Sequence, residues 1–400
     1  MTIDKIFKGK NMETIGQMIL YLMIVCSIIG CVASIFKPYS PLATQYLNGL
    51  YTIGHIFVAI AGIFAIIPHI VGMLEKLIVP IYKSTLLEPS LAITSILAVD
   101  MGGYQVAMQV CESYEGLAMA MFVGYMSGAT IVFSIPVGLR ILDVSLHKDF
   151  ALGIMIGFLS IPFGVFVSCL VAMLSPVSIR KTISTQGVGT YTLALDMLFV
   201  LYNLVPLLIF SLGISFGLYF AKEMMIKAFR VFGYIIDVWC KVFLALFLIE
   251  HFSGFFSHYF GAFPFDSVFA DSIDQVRALE IAGYTGLMLS GAFVMCYLLN
   301  LFLESKKTLL ARFGGDVGFI TGIMACSSNV LVGYPLLAQM KNTTRIKVIA
   351  FSVCGGFLLG DHLSFSANFQ PSLIVAVSVG KIAGGILSIY LARFFVERGK

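Results

Sequence analysis

From Met18 onward the chain is a succession of nearly uncharged runs joined by short connections, each long enough, at about 18 residues or more, to cross the hydrocarbon core of a bilayer as a helix. Backbone groups in hydrocarbon find no water, so such runs must satisfy their hydrogen bonds internally. The fold class that follows is an all-α polytopic integral membrane protein. The totals agree: 59% of residues are hydrophobic and 12% charged, where an ordinary soluble chain carries about 25% charged residues. No connection is long enough to hold a soluble domain, so residues 1–400 read as a single transmembrane domain with the lipid bilayer as its main partner. The net charge of +4 is spread over many connections and carries an orientation signal, with no nucleic-acid footprint.

The apolar runs lie near 15–36, 50–74, 89–110, 116–142, 149–174, 191–219, 224–250, 277–303, 312–340, 344–369 and 371–397. In the first half basic residues alternate between connections: Lys5, Lys8 and Lys10, then Lys37 alone, then Lys76 and Lys83, then none, then Arg140 and Lys148. That alternation places the N-terminus inside. It fails between Lys306-Lys307-Arg312 and Lys341-Arg345-Lys347, which flank one apolar stretch and are both basic. A re-entrant segment over 313–340 repairs it, and Asp316, Ser327-Ser328-Asn329, Gly333 and Pro335 interrupt any continuous lipid-facing helix there. The expectation is about 10–11 transmembrane segments: ten crossings and one hairpin. The first run also has the look of a lipoprotein signal at Ile28-Ile29-Gly30-Cys31, but the many spans that follow favour an uncleaved first helix.

A faint internal echo lays Met101–Val110 over Leu331–Met340 at an offset of 230 (333 minus 103). It extends to a weak repeat of 89–174 against 319–397, the kind of two-fold internal repeat that frames substrate sites in transporters.

Ionisable residues inside apolar runs are costly and by default functional. Asp100 directly precedes Gly102 and Gly103, which let the backbone unwind or approach a ligand. The stretch from Ser127 through Gly128, Thr130, Phe133 and Ser134 to Pro136 combines small residues, hydroxyls and a proline, which favours a broken helix. Close helix packing through small residues explains the same glycines without a ligand. Asp361-His362 sits in a Gly-rich apolar segment, and Lys381 is the basic residue able to neutralise Asp361 as a structural ion pair. Asp237 and Lys241, four apart on one helical face, read as a second structural pair. The eight cysteines are scattered and the histidines lack ligand spacing, so no metal and no cofactor are expected. There is no Walker loop, dinucleotide fingerprint, HExxH or nucleophile elbow.

Five pieces, in order and spacing, resemble the ethanolamine utilisation permease family, EutH: Ile78–Tyr82, Asp100–Gly103, Gly128–Gly138, Gly360–Leu363 and Val379–Gly385. Ala129 stands where the family pattern has proline, and Ser328 where it has asparagine. The resemblance implies a non-enzymatic permease passing ethanolamine across the bacterial cytoplasmic (inner) membrane, supplying an ethanolamine ammonia-lyase pathway, with a homo-oligomer compatible. Ethanolamine is a small amine, protonated at neutral pH, whose site calls for carboxylates, aromatic faces and hydroxyl partners. Asp100 and Asp361 are the acidic candidates. Tyr104 and Phe133 are candidates for π faces, and Asn329, Ser134, Ser364 and His362 for polar contacts beside Gly102 and Gly103. An ion-coupled carrier of another small amine or amino acid is the alternative. An intramembrane enzyme acting on a phospholipid headgroup through Asp361-His362 is the third reading, and it lacks a nucleophile or metal.

Overall fold

The computed structural model describes residues 10–175, 177–261, 265–270, 276–305 and 317–397. The described residues are helical nearly throughout, with one two-residue-per-strand hairpin among them, β1 (Ser178–Ile179) antiparallel to β2 (Tyr191–Thr192). Among the described residues eight helices are long and apolar enough to cross a membrane, and the protein is a multi-pass integral membrane protein. These include α1 (Lys10–Phe36), α2 (Pro41–Ala65), α9 (His147–Leu174), α10 (Met197–Phe220), α11 (Lys222–Ser253) and α13 (Ala278–Ser305). Their starts are set locally. Pro41 occupies the first turn of α2 while Ser40 Oγ accepts from Ala43 N, and the Asp196 carboxylate accepts from Leu198 N and Phe199 N at the head of α10.

Short helices fill the intervals: α3 (Ile67–Leu77), α4 (Val79–Ser84), α5 (Pro89–Thr94), α6 (Gly103–Val110), α7 (Tyr114–Val123), α8 (Ile135–Ile141) and α12 (Phe255–Phe260). Between α7 and α8 the helix does not stop. It widens into π-type turns over 124–134, so that Tyr114–Ile141 forms one disturbed crossing. Beyond α13 come α14 (Val317–Ser328), α15 (Val330–Leu336), α16 (Asn342–Gly355), α17 (Asp361–Phe369) and α18 (Ile374–Glu397). Asp316, expected to help interrupt the 313–340 stretch, lies outside the described residues.

The 89–110 stretch differs from its reading as a crossing. Glu88 Oε1 accepts from Glu112 N at 3.0 Å and Glu88 Oε2 from Ser113 Oγ at 3.0 Å, so both ends of the stretch meet. It is a hairpin whose arms, six and eight residues long, reach only part-way through a bilayer at about 1.5 Å per residue. Gly102, in the left-handed region at φ 91°, makes the reversal. The 317–339 stretch folds back in the same manner at Ser328-Asn329, where the Asn329 side chain caps α15 by accepting from Leu331 N at 2.8 Å. A Cβ on Gly322 would meet Met340 Cε at 2.6 Å, which lays the middle of the first arm against the residue that follows the second.

Contacts sort the helix ends into two groups. One end of the bundle holds Gly16 against Pro371, Ala65 O bonded to Asp266 N, Glu88 N on Asn203, and Arg180 on Phe369 O. The other end holds Asp149 paired with Arg345. The first hairpin therefore enters from the N-terminal end and the second from the opposite end. The stretch 89–174 runs hairpin, π-widened crossing, unbroken α9. The stretch 317–397 runs hairpin, α16–α17 crossing broken at 356–360, unbroken α18, in the opposite direction. Among the described residues, two hairpins and nine crossings stand where one and ten are expected. The end opposite the N-terminus carries Lys37, Arg140, Lys148, Lys222, Lys341, Arg345, Lys347 and Arg393. Lys10, Lys76, Lys83, Arg180, Lys181 and Arg277 lie beside the N-terminus, with Lys5 and Lys8 preceding in sequence. The alternation that placed the N-terminus inside depended on the 89–110 stretch crossing.

Candidate functional site

The tips of both hairpins converge on the break in the α16–α17 crossing. At the first tip, Met101 N and Gly103 N both donate to Ala98 O, at 3.1 and 2.9 Å, which turns Asp100 out of helical register. A Cβ on Gly103 would lie 2.5 Å from Ala98 O, so glycine is required for the turn to close. The second tip is stitched to the break: Phe357 N donates to Cys326 O at 3.0 Å and Leu359 N to Ser327 O at 2.7 Å. Phe357 takes φ 58°, an uncommon conformation for a bulky residue. Such backbone is tolerated at membrane depth where it is buried in protein or lines a cavity.

Asp361 opens α17 at this point, and its Oδ2 accepts from Asn329 Nδ2 at 3.2 Å. The next residue, His362, is 1% exposed and turns the other way: Nε2 stands 4.0 Å from Asp100 Oδ1, and Nδ1 lies 2.9 Å from Lys381 Nζ. Lys381 is fully buried, and its second bond goes to Tyr125 O at 2.7 Å, in the π-widened segment. The ion pair expected between Lys381 and Asp361 is therefore not what the lysine makes. Its ammonium serves His362 and a backbone carbonyl, and Asp361 is held by an amide. Close approach of α18 to α9 brings Lys381 in, since a Cβ on Gly380 would lie 2.6 Å from Gly164 O. The Asp100 side chain keeps 19% of its surface open against 2% for His362, so the acidic side of this cluster is the accessible one.

Aromatic rings wall the cluster. Tyr125 and Phe357 both pack on His362, with centroids at 4.8 and 5.1 Å. Phe133 lies behind Phe357 at 5.6 Å, one layer away from the histidine. Tyr104 is fully buried with its ring edge-on to Phe365 at 5.8 Å, and its hydroxyl accepts from Gln370 Nε2 at 2.8 Å. Ser364 Oγ is buried with no hydrogen-bond partner. Ser134, buried in the π-widened segment, turns to the Tyr334 hydroxyl. The structure thus joins Asp100, Gly102, Gly103, Asn329, Asp361 and His362 at one locus, puts Tyr104 and Phe133 in its walls, and turns Ser134 toward Tyr334. Asp237 and Lys241 pair at 2.7 Å on an exposed helical face elsewhere.

Four residues that sequence reasoning passed over complete the surroundings. Ser366 Oγ donates to the Tyr125 hydroxyl at 2.9 Å. Gln370, 1% exposed, bridges Tyr104 to the β-hairpin by donating also to Arg180 O and accepting from Arg180 N. Arg180 Nη1 in turn donates to Asn368 O and Ser184 O. Tyr125 and Ser366 carry no charge and so no hydropathy signal; Arg180 sits in a connection, where basic residues are commonplace. Among the described residues no group of three or more His, Cys, Asp or Glu side chains is placed to hold a metal ion. The arrangement offers two carboxyl groups, one buried lysine amine, an imidazole and aromatic faces. It suits recognition of a small cation.

The family model of the ethanolamine utilisation protein EutH matches residues 15–395. A "Probable ethanolamine permease EutH" of Listeria monocytogenes is 29% identical over 393 residues, covering 97% of both chains. Proteins of the same name from Salmonella typhimurium and Escherichia coli are each 29% identical over 402 residues, covering 96% of both chains. No solved structure matches. These names are of permeases and not of enzymes.

Proposed function

Because the chain belongs to the EutH family, we propose that it is a permease for ethanolamine, with the protonated amine held between Asp100 and Asp361. The observation that carries this reading is that carboxylates from two separate broken segments flank His362, Asp100 at 4.0 Å from its ring and Asp361 as its chain neighbour held by Asn329, beside aromatic rings that pack on the histidine. The ammonium would face the carboxylates and the ring of Tyr125, and the alcohol would take the unpartnered Ser364 hydroxyl or the Asn329 amide. The stretches 89–174 and 317–397 act as inverted repeats, each hairpin leading from one side of the membrane to the shared site. The membrane is the bacterial cytoplasmic membrane. In sequence, Lys306, Lys307 and Arg312 follow α13 and Arg398 and Lys400 follow α18, which adds five basic residues to the connections opposite the N-terminus; that end faces the cytoplasm by the positive-inside rule, which leaves the N-terminus outside. Substrate delivered there supplies an intracellular ammonia-lyase pathway.

The test is uptake of labelled ethanolamine into proteoliposomes by Asp100→Asn and Asp361→Asn variants. Each substitution replaces a charge-assisted contact worth about 1.5–3 kcal/mol, so the rate should fall roughly tenfold to a hundredfold while each variant keeps its thermal midpoint. Normal transport by both variants would refute the site. Counterflow with other small amines in place of ethanolamine would reassign the substrate and keep the site.

A further inference from the structure

The charges within the cluster do not balance, and the imbalance says what must accompany the substrate. Lys381 Nζ has donors only when charged, and it is directed at two acceptors, Tyr125 O and His362 Nδ1. A charged Lys381 can only donate to His362 Nδ1, and that arrangement puts the imidazole's one proton on Nε2, the atom facing Asp100. The fixed charges are then one ammonium against two carboxylates, Asp100 and Asp361. The other ionisable groups around them are Tyr104 and Tyr125 from the first repeat, Cys354 beside Lys381, and Cys296 of α13, whose Sγ donates to Leu359 O. All four are neutral acids. Among the described residues no second lysine or arginine joins the cluster; Arg180 is engaged by backbone carbonyls on the far side of Gln370.

A carboxylate left uncompensated at this depth costs several kcal/mol, and a group in that position takes up a proton instead. Bound amine supplies the missing charge. Resting on the ethanolamine reading above, we propose that the permease exchanges each amine cation for one proton, so that the empty site crosses protonated and net transport is electroneutral. The step balances: the ammonium leaves intact, and one water-derived proton forms an O–H bond on Asp361 or Asp100, to be released on the side where the next ammonium binds. No redox change or covalent intermediate is involved. Lys381 is the positioning residue that fixes the sum, because without it two cations would be needed.

Initial rates of labelled ethanolamine uptake into proteoliposomes at external pH 6, less those of protein-free vesicles, decide the matter. Uptake should be unchanged by an inside-negative potassium diffusion potential of about 60 mV, whereas uniport of a cation would be driven up to tenfold. Raising lumenal pH from 6 to 8 should slow net uptake at least tenfold, and unlabelled ethanolamine inside should restore it, since amine then replaces the proton. In Asp361→Asn, where Lys381 alone balances Asp100, residual uptake should lose its dependence on lumenal protons. Wild-type uptake that follows the potential, or that ignores lumenal pH, overturns proton exchange while leaving the substrate reading intact. Absence of any ethanolamine counterflow overturns both.

Discussion

Replacing Gly103 by alanine tests whether the turn that presents Asp100 is as tight as the geometry requires. The new Cβ would lie 2.5 Å from Ala98 O and 2.9 Å from Leu97 O, where ordinary van der Waals contact begins at 3.4 Å. The turn must open by roughly 0.9 Å, lengthening the Gly103 N to Ala98 O bond beyond its present 2.9 Å; overpacking of this kind costs about 1–3 kcal/mol. Asp100 is already 4.0 Å from His362, and a displacement near 1 Å in a binding constellation costs on the order of 100-fold in rate. The assay pairs ethanolamine uptake with thermal unfolding in detergent. Gly54→Ala serves as the comparison, since nothing lies within 4 Å of its added Cβ. Gly103→Ala should lose most of its uptake and some stability while Gly54→Ala keeps both. A Gly103→Ala protein with full uptake would refute the claim that this turn sets the site.

Arg345→Met should lower stability by about 3 kcal/mol, because it leaves the largely buried Asp149 unpaired and releases Leu337 O and Met340 O at the end of the second hairpin; chemical denaturation in detergent reads this. Glu88→Gln should cost about 1–3 kcal/mol, since the carboxylate closes the first hairpin by accepting from Ser90 Oγ, Glu112 N and Ser113 Oγ, and its thermal midpoint should fall. The Tyr191 hydroxyl donates to Glu115, which raises its pKa above the ordinary phenol value of 10.0. A raised acid is stabilised below its unfolded pKa, so protease resistance of the 178–192 hairpin should persist through neutral pH and fall only as pH climbs through the folded pKa; Tyr191→Phe should show the weaker resistance already at pH 7. Impermeant thiol labelling of single cysteines at Thr14 and Val396, in an otherwise cysteine-free background in whole cells, should mark the former and spare the latter; the reverse would place the N-terminus inside.

Membrane class and the polar breaks were legible because hydrocarbon makes every exception conspicuous. Asp100, Asp361 and Gly102-Gly103 stand out against apolar neighbours, and the 313–340 hairpin followed from one failure of charge alternation. The 89–110 hairpin escaped for a physical reason. Hydropathy measures burial in something apolar, and arms of six and eight residues buried in protein look like one lipid-facing helix. That single misreading shifted the parity of every later connection and hid the opposed direction of the 89–174 and 317–397 stretches. Lys381 was assigned to Asp361 by charge alone, whereas its partners are a histidine and a carbonyl exposed by a π-widened turn. Such a carbonyl has no sequence signature. The wall residues Tyr125 and Ser366 were invisible likewise, their role depending on which faces of separate helices meet.

A structure determined with ethanolamine bound would test the central claim most directly. The account predicts ligand density within hydrogen-bond reach of both Asp100 and Asp361, with its ammonium toward the carboxylates and Lys381 still on His362. Density confined elsewhere, for example to the surface groove lined by Thr85, Tyr202 and Phe210, with the two carboxylates unaltered, would contradict it.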